Sequence, residues 1–418
     1  MKYPIASTLI ALGVLAGTVP AKADNVTLTI ASWRNDDLPV WQKTIIPAFE
    51  KENPGITVKF EPAAPTEYNS ALNAQLAAGT AADLITCRPF DAALDLYKAG
   101  YLASVDDLPG MSNFPESSKI AWQTDDAKTT FCVPMASVIG GYIYNKQIFS
   151  DLKLTVPKTE AEFFALLQKI KDNGTYTPLA MGTKDQWEAA TMGYENIGPD
   201  YWAGETGRMA LIAGKQKLTD PDWVQPFTEL AKWGPYMGNG FQAQSYADSQ
   251  NMFTLGRAAI YPAGSWEIPN FEAQADFKMG EFPQPVPKAG DTCYISDQPD
   301  HALGMNAHTK NPAAARKFLE WVASPEFAQL YTNALPGFFP LLPGHYTIAD
   351  PLGAQFLSTR ANCKSSIRFT YQFLSRGTPN LENALWGASA AVINGTETPA
   401  AAAASLQTGL DSWYHPPG

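Results

Sequence analysis

Two polar loops concentrate the side chains with the most chemistry to offer. Ser32-Trp33-Arg34-Asn35-Asp36-Asp37 sets one large aromatic among charged and amide groups, and the loop Cys87 to Asp91 carries Arg88 and Asp91. Carboxylates, amides and guanidinium groups are planar and hold two neighbouring hydroxyls at once. The acids Asp36, Asp37, Glu67, Asp91 and Glu267 also admit a second chemistry, that of a secreted glycoside hydrolase, whose two carboxyls flank the scissile bond roughly 5 to 9.5 Å apart. Other chemistries lack their residues. His301, His308, His345 and His415 have no metal-ligand spacing, no cysteine lies in a Cys-x-x-Cys, and neither a phosphate-cradling glycine loop nor a Gly-x-Ser-x-Gly elbow occurs. No catalytic residue, metal or cofactor is expected.

The elements before these loops explain their position. Val26 to Ala31 alternates as VTLTIA, and Trp41, Ile45 and Phe49 then recur at helical spacing up to Asn53-Pro54-Gly55. Ile56, Val58 and Phe60 form a second strand, Tyr68, Leu72 and Leu76 mark a helix closing at Gly79, and Asp83 to Thr86 is a short buried strand. This β-α-β-α-β-α order predicts a parallel sheet covered on both faces, with ligands beyond the carboxyl ends of its strands. Both loops lie at those ends.

The stretch Thr129 to Phe149, TTFCVPMASVIGGYIYNKQIF, begins as a β-branched run, meets Pro134 and resumes as Tyr142-Ile143-Tyr144 after Gly140-Gly141. It reads as a chain leaving one sheet for another, and hence as a hinge; the alternative is a strand, turn and strand inside one domain. The α/β alternation then resumes. Thr159-x-x-Glu162 is a capping box, Pro178 to Gly182 a buried strand followed by Trp187, and Arg257 to Tyr261 a strand running on to Gly264-Ser265-Trp266. Further crossings are expected near Asp300 to Ala302 and near Phe338-Phe339-Pro340, and Leu381 to Asn394 reads as a final long helix. The prediction is an α/β chain of two lobes, each a mostly parallel sheet flanked by helices and joined by hinge crossings. Residues 24–134 with 303–338 form one lobe, and 135–302 with 339–418 the other.

Residues 1–23 have the features of a signal peptide: Lys2, an apolar run from Ile5 to Ala16 too short to span a bilayer, and Ala21-Lys22-Ala23 as the cleavage site. Cleavage after Ala23 leaves 28 basic against 41 acidic side chains, a net charge near −13, which disfavours nucleic acid and anionic membranes as partners. No later stretch is long and apolar enough for direct membrane insertion. Aromatic residues at 12% against 17% charged suit neutral polar ligands with apolar ring faces. Four cysteines in an oxidising compartment allow three pairings, and Cys87 and Cys132, in buried strands, equally suit free inert thiols.

Several segments, in order, carry a family pattern. They include Ala48-Phe49-Glu50-Lys51-Glu52-Asn53-Pro54-Gly55, Gly79-Thr80-Ala81-Ala82-Asp83-Leu84, Tyr144 to Phe149, Gly256 to Ile260 leading to Gly264-Ser265-Trp266, and Trp386 leading to Ala391 to Gly395. Over nearly the whole chain this resembles the periplasmic solute-binding proteins of carbohydrate ABC importers, the group that includes maltose-binding protein. The resemblance implies two lobes closing on a sugar in the periplasm, a monomer, and delivery to a transmembrane permease. It implies Trp266 as a stacking ring, with Trp386 and Trp187 as further aromatic positions and Gly264 beside them. The Trp33, Asn35, Asp36 and Asp37 loop, Glu67, Arg88, Asp91 and Phe338 complete the expected binding set, with Arg368 and Phe339 behind them. A pyranose has apolar faces and a hydroxyl rim, so this mixture of rings and planar polar groups fits it. Arg88 replaces an aromatic of the maltose binders, which admits a charged, uronate-like sugar. A non-sugar cargo, such as a polyamine, osmolyte or metal, is the alternative on the same fold.

Overall fold

A computed structural model describes Met1 and residues 25–416. Apart from Met1, the signal peptide read in residues 1–23, its cleavage after Ala23 and the new start at Asp24 lie outside the described residues. Among the described residues there are ten strands: β1 Val26–Ser32, β2 Ile56–Pro62, β3 Leu84–Cys87, β4 Val133–Asn145, β5 Thr177–Leu179, β6 Ala258–Gly264, β7 Met279–Phe282, β8 Tyr294–Met305, β9 Phe339–Pro340 and β10 Lys364–Ser366. Their main path runs β2-β1-β3-β8-β4-β6-β5.

The opening alternation folds as predicted. β1 pairs in parallel with β2 on one side and β3 on the other, and the helices between them bury Trp41, Ile45, Phe49, Tyr68, Leu72 and Leu76. A second parallel pair, β5 with β6, lies at the other end of the path. The strands that join these ends are antiparallel. β8 pairs with β3 through Ala302 to Met305 and with β4 through Asp297 to Leu303, so the sheet as a whole is mixed.

β4 departs from its expected two runs. It is one strand of 13 residues that changes partner midway, from β8 at Val133 to Ile139 to β6 at Gly140 to Tyr144. Pro134 does not break it. The proline cannot donate to the ladder, and the register instead slips on either side of Ala136, where β9 also joins. Three connections, β4, β8 and β9, thus meet at the middle of the sheet, where crossings were expected.

The cysteines are paired as Cys87–Cys132 and Cys293–Cys363. The first bridge joins the end of β3 to the residue before β4, although β8 runs between those two strands. The bridge therefore passes over Gly304 of β8, where a Cβ would lie 2.8 Å from each sulfur. The predicted capping box at Thr159 is half formed: its hydroxyl accepts from the Glu162 amide, but the Glu162 carboxylate accepts from Lys158 instead of Thr159. A complete box occurs at Ser245 and Asp248, where it starts the helix Tyr246–Thr254.

Candidate binding cleft

The carboxyl ends of the first three parallel strands converge on one opening. β1 runs into Trp33 and Arg34, β2 leads to Pro65 and Thr66, and β3 delivers Arg88, all of which line a cleft with about 640 Å³ of empty space, the open solvent at its mouth included. Arg88 is fixed by its surroundings. Its Nε donates to Asn69 Oδ1 at 2.9 Å, a second nitrogen donates to the Pro65 carbonyl at 3.1 Å, and the guanidinium carbon sits 4.5 Å over the Trp33 ring. Trp33 therefore serves the guanidinium as a platform, an arrangement worth about 1 kcal/mol.

The facing wall is built on β6 and two helices. Gly264 ends β6, and the Trp266 ring lies against its backbone so closely that a Cβ there would meet Cζ3 at 1.7 Å. The Trp266 indole donates to Glu267 Oε1 at 3.1 Å, and the Trp266 carbonyl accepts from Arg34 at 3.2 Å. Tyr246, the first residue after the Ser245 cap, donates to the same Glu267 oxygen at 2.7 Å and packs edge-on to Trp187 at 4.8 Å. Asp185 ties these two segments by accepting from the Tyr246 amide at 2.8 Å. Thr191 comes from a π-helical turn, Ala189–Tyr194, of the wider kind often found at functional sites. Glu382 and Trp386, one turn apart on the helix Leu381–Ile393, complete this side.

Charge is concentrated at the base. Asp300 on β8, Arg368 and Glu382 all line the cleft. Burial pushes the carboxyls of Asp300 and Glu382 above their ordinary range, with Arg368 as the main counterweight to each. Burial opposes the Arg368 charge, but Tyr371, Glu195, Asp300 and Glu382 around it hold its pKa above the usual value. Glu195, whose Oε2 stands 3.7 Å from Arg368, is itself pushed up by burial to about 7. The 3.3 Å approach of Asp300 to His301 Nε2 is not an ion pair, because burial holds His301 down at about 3 and its ring is neutral. The indole nitrogens of Trp187 and Trp386 are buried and meet no acceptor among the described residues. Such a donor costs about 1–3 kcal/mol until a ligand or water accepts from it.

Of the residues predicted for the site, the structure brings Trp33, Arg88, Trp187, Trp266 and Trp386 to the cleft lining, together with Arg368. Gly264 stands beneath Trp266 as described. The others lie elsewhere. Asp37 is buried in a two-pronged pair with Arg34, at 2.8 and 2.9 Å, and Asp36 accepts from Gln250 at 3.4 Å. Asn35 and Glu67 are exposed outside the lining. Asp91 accepts from Arg376 at 2.6 Å, and Phe338 is fully buried, stacked on His301 at 4.7 Å behind the cleft.

Sequence reasoning passed over Arg34, Pro65, Thr66, Thr191, Tyr246, Asp300 and Glu382. Signals existed for several. Pro65 and Thr66 follow the second parallel strand, to which the strand-end rule applies as much as to the other two. Glu382 stands four residues before Trp386 and shares its helix face.

The geometry agrees with what the chain is similar to. The family described as bacterial extracellular solute-binding protein matches residues 32–329. A multiple sugar-binding protein of Streptococcus mutans is 27% identical over 322 residues, 74% of each chain. An uncharacterized ABC transporter extracellular-binding protein of Pyrococcus horikoshii is 24% identical over 329 residues, 75% of each. Among solved structures, a chitin oligosaccharide binding protein superposes with a TM-score of 0.79 at 22% identity, covering 93% of this chain and 99% of its own. RafE solved with raffinose gives 0.76 at 22% identity, with the same coverage. These neighbours have the two-lobed α/β fold read from the sequence. The chain belongs to the bacterial extracellular solute-binding protein family.

Proposed function

We propose that this protein is the substrate-binding component of an ABC importer and takes a carbohydrate into the cleft. The observation that carries the reading is the cleft lining itself. Trp187, Trp266 and Trp386 offer rings, two of them with indole donors that meet no acceptor among the described residues, beside Arg88, Arg368, Asp300 and Glu382. Rings suit the apolar faces of a sugar, and the unpaired donors and planar charged groups suit its hydroxyls. The names of the relatives, which include a multiple sugar-binding protein, support the same cargo class.

In this reading residues 24–134 with 303–338 and residues 135–302 with 339–418 are the two lobes, and β4, β8 and β9 are their hinge. Sugar touches both walls only in the closed form, so its differential affinity shifts the population, and a membrane permease recognises the closed outline. Export to the periplasm with cleavage after Ala23, a monomeric state and the absence of catalysis belong to the same proposal. The hydrolase alternative loses its residues: Asp36, Asp37, Glu67, Asp91 and Glu267 are all outside the cleft lining. Arg88 makes no salt bridge among the described residues, so a uronate is retained beside neutral sugars as cargo.

A thermal-shift and calorimetric screen over neutral mono- and oligosaccharides, polyols and uronates tests the reading. One sugar class is expected to raise the melting temperature and titrate to one site, with the sugar recovered intact. Binding of a polyamine or osmolyte alone, or turnover of an oligosaccharide, would overturn it.

A further inference from the structure

Glu267 is fully buried and is not among the groups that line the cleft. Its carboxylate nevertheless accepts three side-chain hydrogen bonds. The Trp266 indole and the Tyr246 phenol donate to Oε1 at 3.1 and 2.7 Å, and the Gln250 amide donates to Oε2 at 2.9 Å. Two of these donors are cleft rings, and Tyr246 in turn packs against a third, Trp187. Gln250 extends the set across to Asp36 in the loop after β1. A neutral side chain of the same shape has one acceptor oxygen and an NH₂ that points donors at donors, so it cannot satisfy all three.

We propose that Glu267 is the positioning residue of the aromatic wall: its carboxylate holds the Trp266 indole and the Tyr246 phenol together in the arrangement that meets ligand. The Trp266 indole cannot swing away, and the Tyr246 phenol oxygen cannot leave its place, without breaking a hydrogen bond to one buried oxygen. The adjacent Gly264, which admits the Trp266 ring against the backbone, fixes its plane, and Glu267 fixes its rotation about that plane. The acid thereby acts on the ligand through Trp266 and Tyr246 without touching it.

The inference rests on the cleft being the ligand site, so the wild-type protein is titrated first with the sugar found by the screen. Wild-type protein that binds no sugar there defeats the functional reading; the outcomes below concern Glu267 alone. Glu267→Gln is expected to weaken sugar affinity about 10-fold or more, as one of the two acceptor oxygens that hold the rings is lost. Its effect in a Trp266→Phe background, which has no indole donor, is expected to shrink by about half or more, because the two residues act as a unit. In ligand-free protein the indole ¹H–¹⁵N resonance of Trp266, assigned by its disappearance in Trp266→Phe, is expected to move upfield in Glu267→Gln. Wild-type affinity in Glu267→Gln, or strictly additive losses in the double variant, would overturn the proposal. Should Glu267→Gln fail to fold, Tyr246→Phe decides, since it keeps the ring and removes one donor: a loss of about 5-fold or more supports the proposal and unchanged affinity overturns it.

Discussion

The ring of Trp266 occupies the space where a side chain of Gly264 would begin, with Cζ3 only 1.7 Å from that position. A glycine in an ordinary extended conformation is thus required for contact and not for backbone freedom. Gly264→Ala is expected to displace the ring, abolish sugar-induced stabilisation, and cost about 1–3 kcal/mol of intrinsic stability from overpacking. Calorimetric titration and unliganded melting, run side by side, separate the two effects.

Arg376 binds two acids from distant segments, donating to Asp91 at 2.6 Å and to Asp125 at 2.7 and 3.0 Å. Asp125 is half exposed and contributes little, whereas the Asp91 side chain is 7% exposed and would lose its guanidinium partner inside the protein. Arg376→Ala is therefore expected to destabilise the protein by about 2 kcal/mol, with Asp91→Asn in the same background recovering part of the loss. Urea unfolding of the three proteins checks this.

A buried acid whose pKa is raised on folding makes stability fall as pH rises. Burial, reinforced by Glu160, pushes Glu229 from an ordinary 4.5 up to about 8. The folded state holds this proton more tightly than the unfolded one, so the contribution is complete below about pH 4.5 and is lost as pH climbs through 8. The melting temperature is expected to drop by several degrees between pH 6 and pH 9, and Glu229→Gln is expected to flatten that slope. A melting temperature rising over this interval would contradict the assignment.

The Cys87–Cys132 bridge closes a loop with a sequence separation of 45 and holds the strand ends that carry Arg88. Replacing both cysteines by serine is expected to cost about 2–4 kcal/mol, chiefly by freeing the unfolded chain. Sugar affinity should fall as well, because the loop after β3 loses its tether. Reducing agent applied to the wild-type protein should move both quantities in the same direction.

The first half of the fold was legible because hydrophobic alternation and helical spacing report local structure directly. Strand ends then led to Trp33 and Arg88 without any knowledge of distant contacts. The acids misled for a physical reason. Asp37 and Asp91 have the right type and loop position, but each is consumed by an arginine, Arg34 three residues on one side and Arg376 nearly three hundred residues away. Sequence shows a carboxylate, not its partner. Asp300 and Tyr246 were hidden for the complementary reason: only the tertiary fold brings them to the cleft. The capping box at Ser245 was readable in advance, yet it marked a helix start and said nothing of which way Tyr246 faced. Pro134 overstated its effect because a proline beside a slipped register removes a single ladder bond and leaves the strand intact.

β3 finds its second neighbour only when Ala302 reaches Cys87, about 215 residues further along. A ribosome adding roughly 5–20 residues each second takes on the order of 10–40 s to supply it. A sheet formed without β8 would leave β3 with an open edge, a surface that can pair with another chain. β8 closes that edge last, by entering between β3 and β4 in the middle of the sheet.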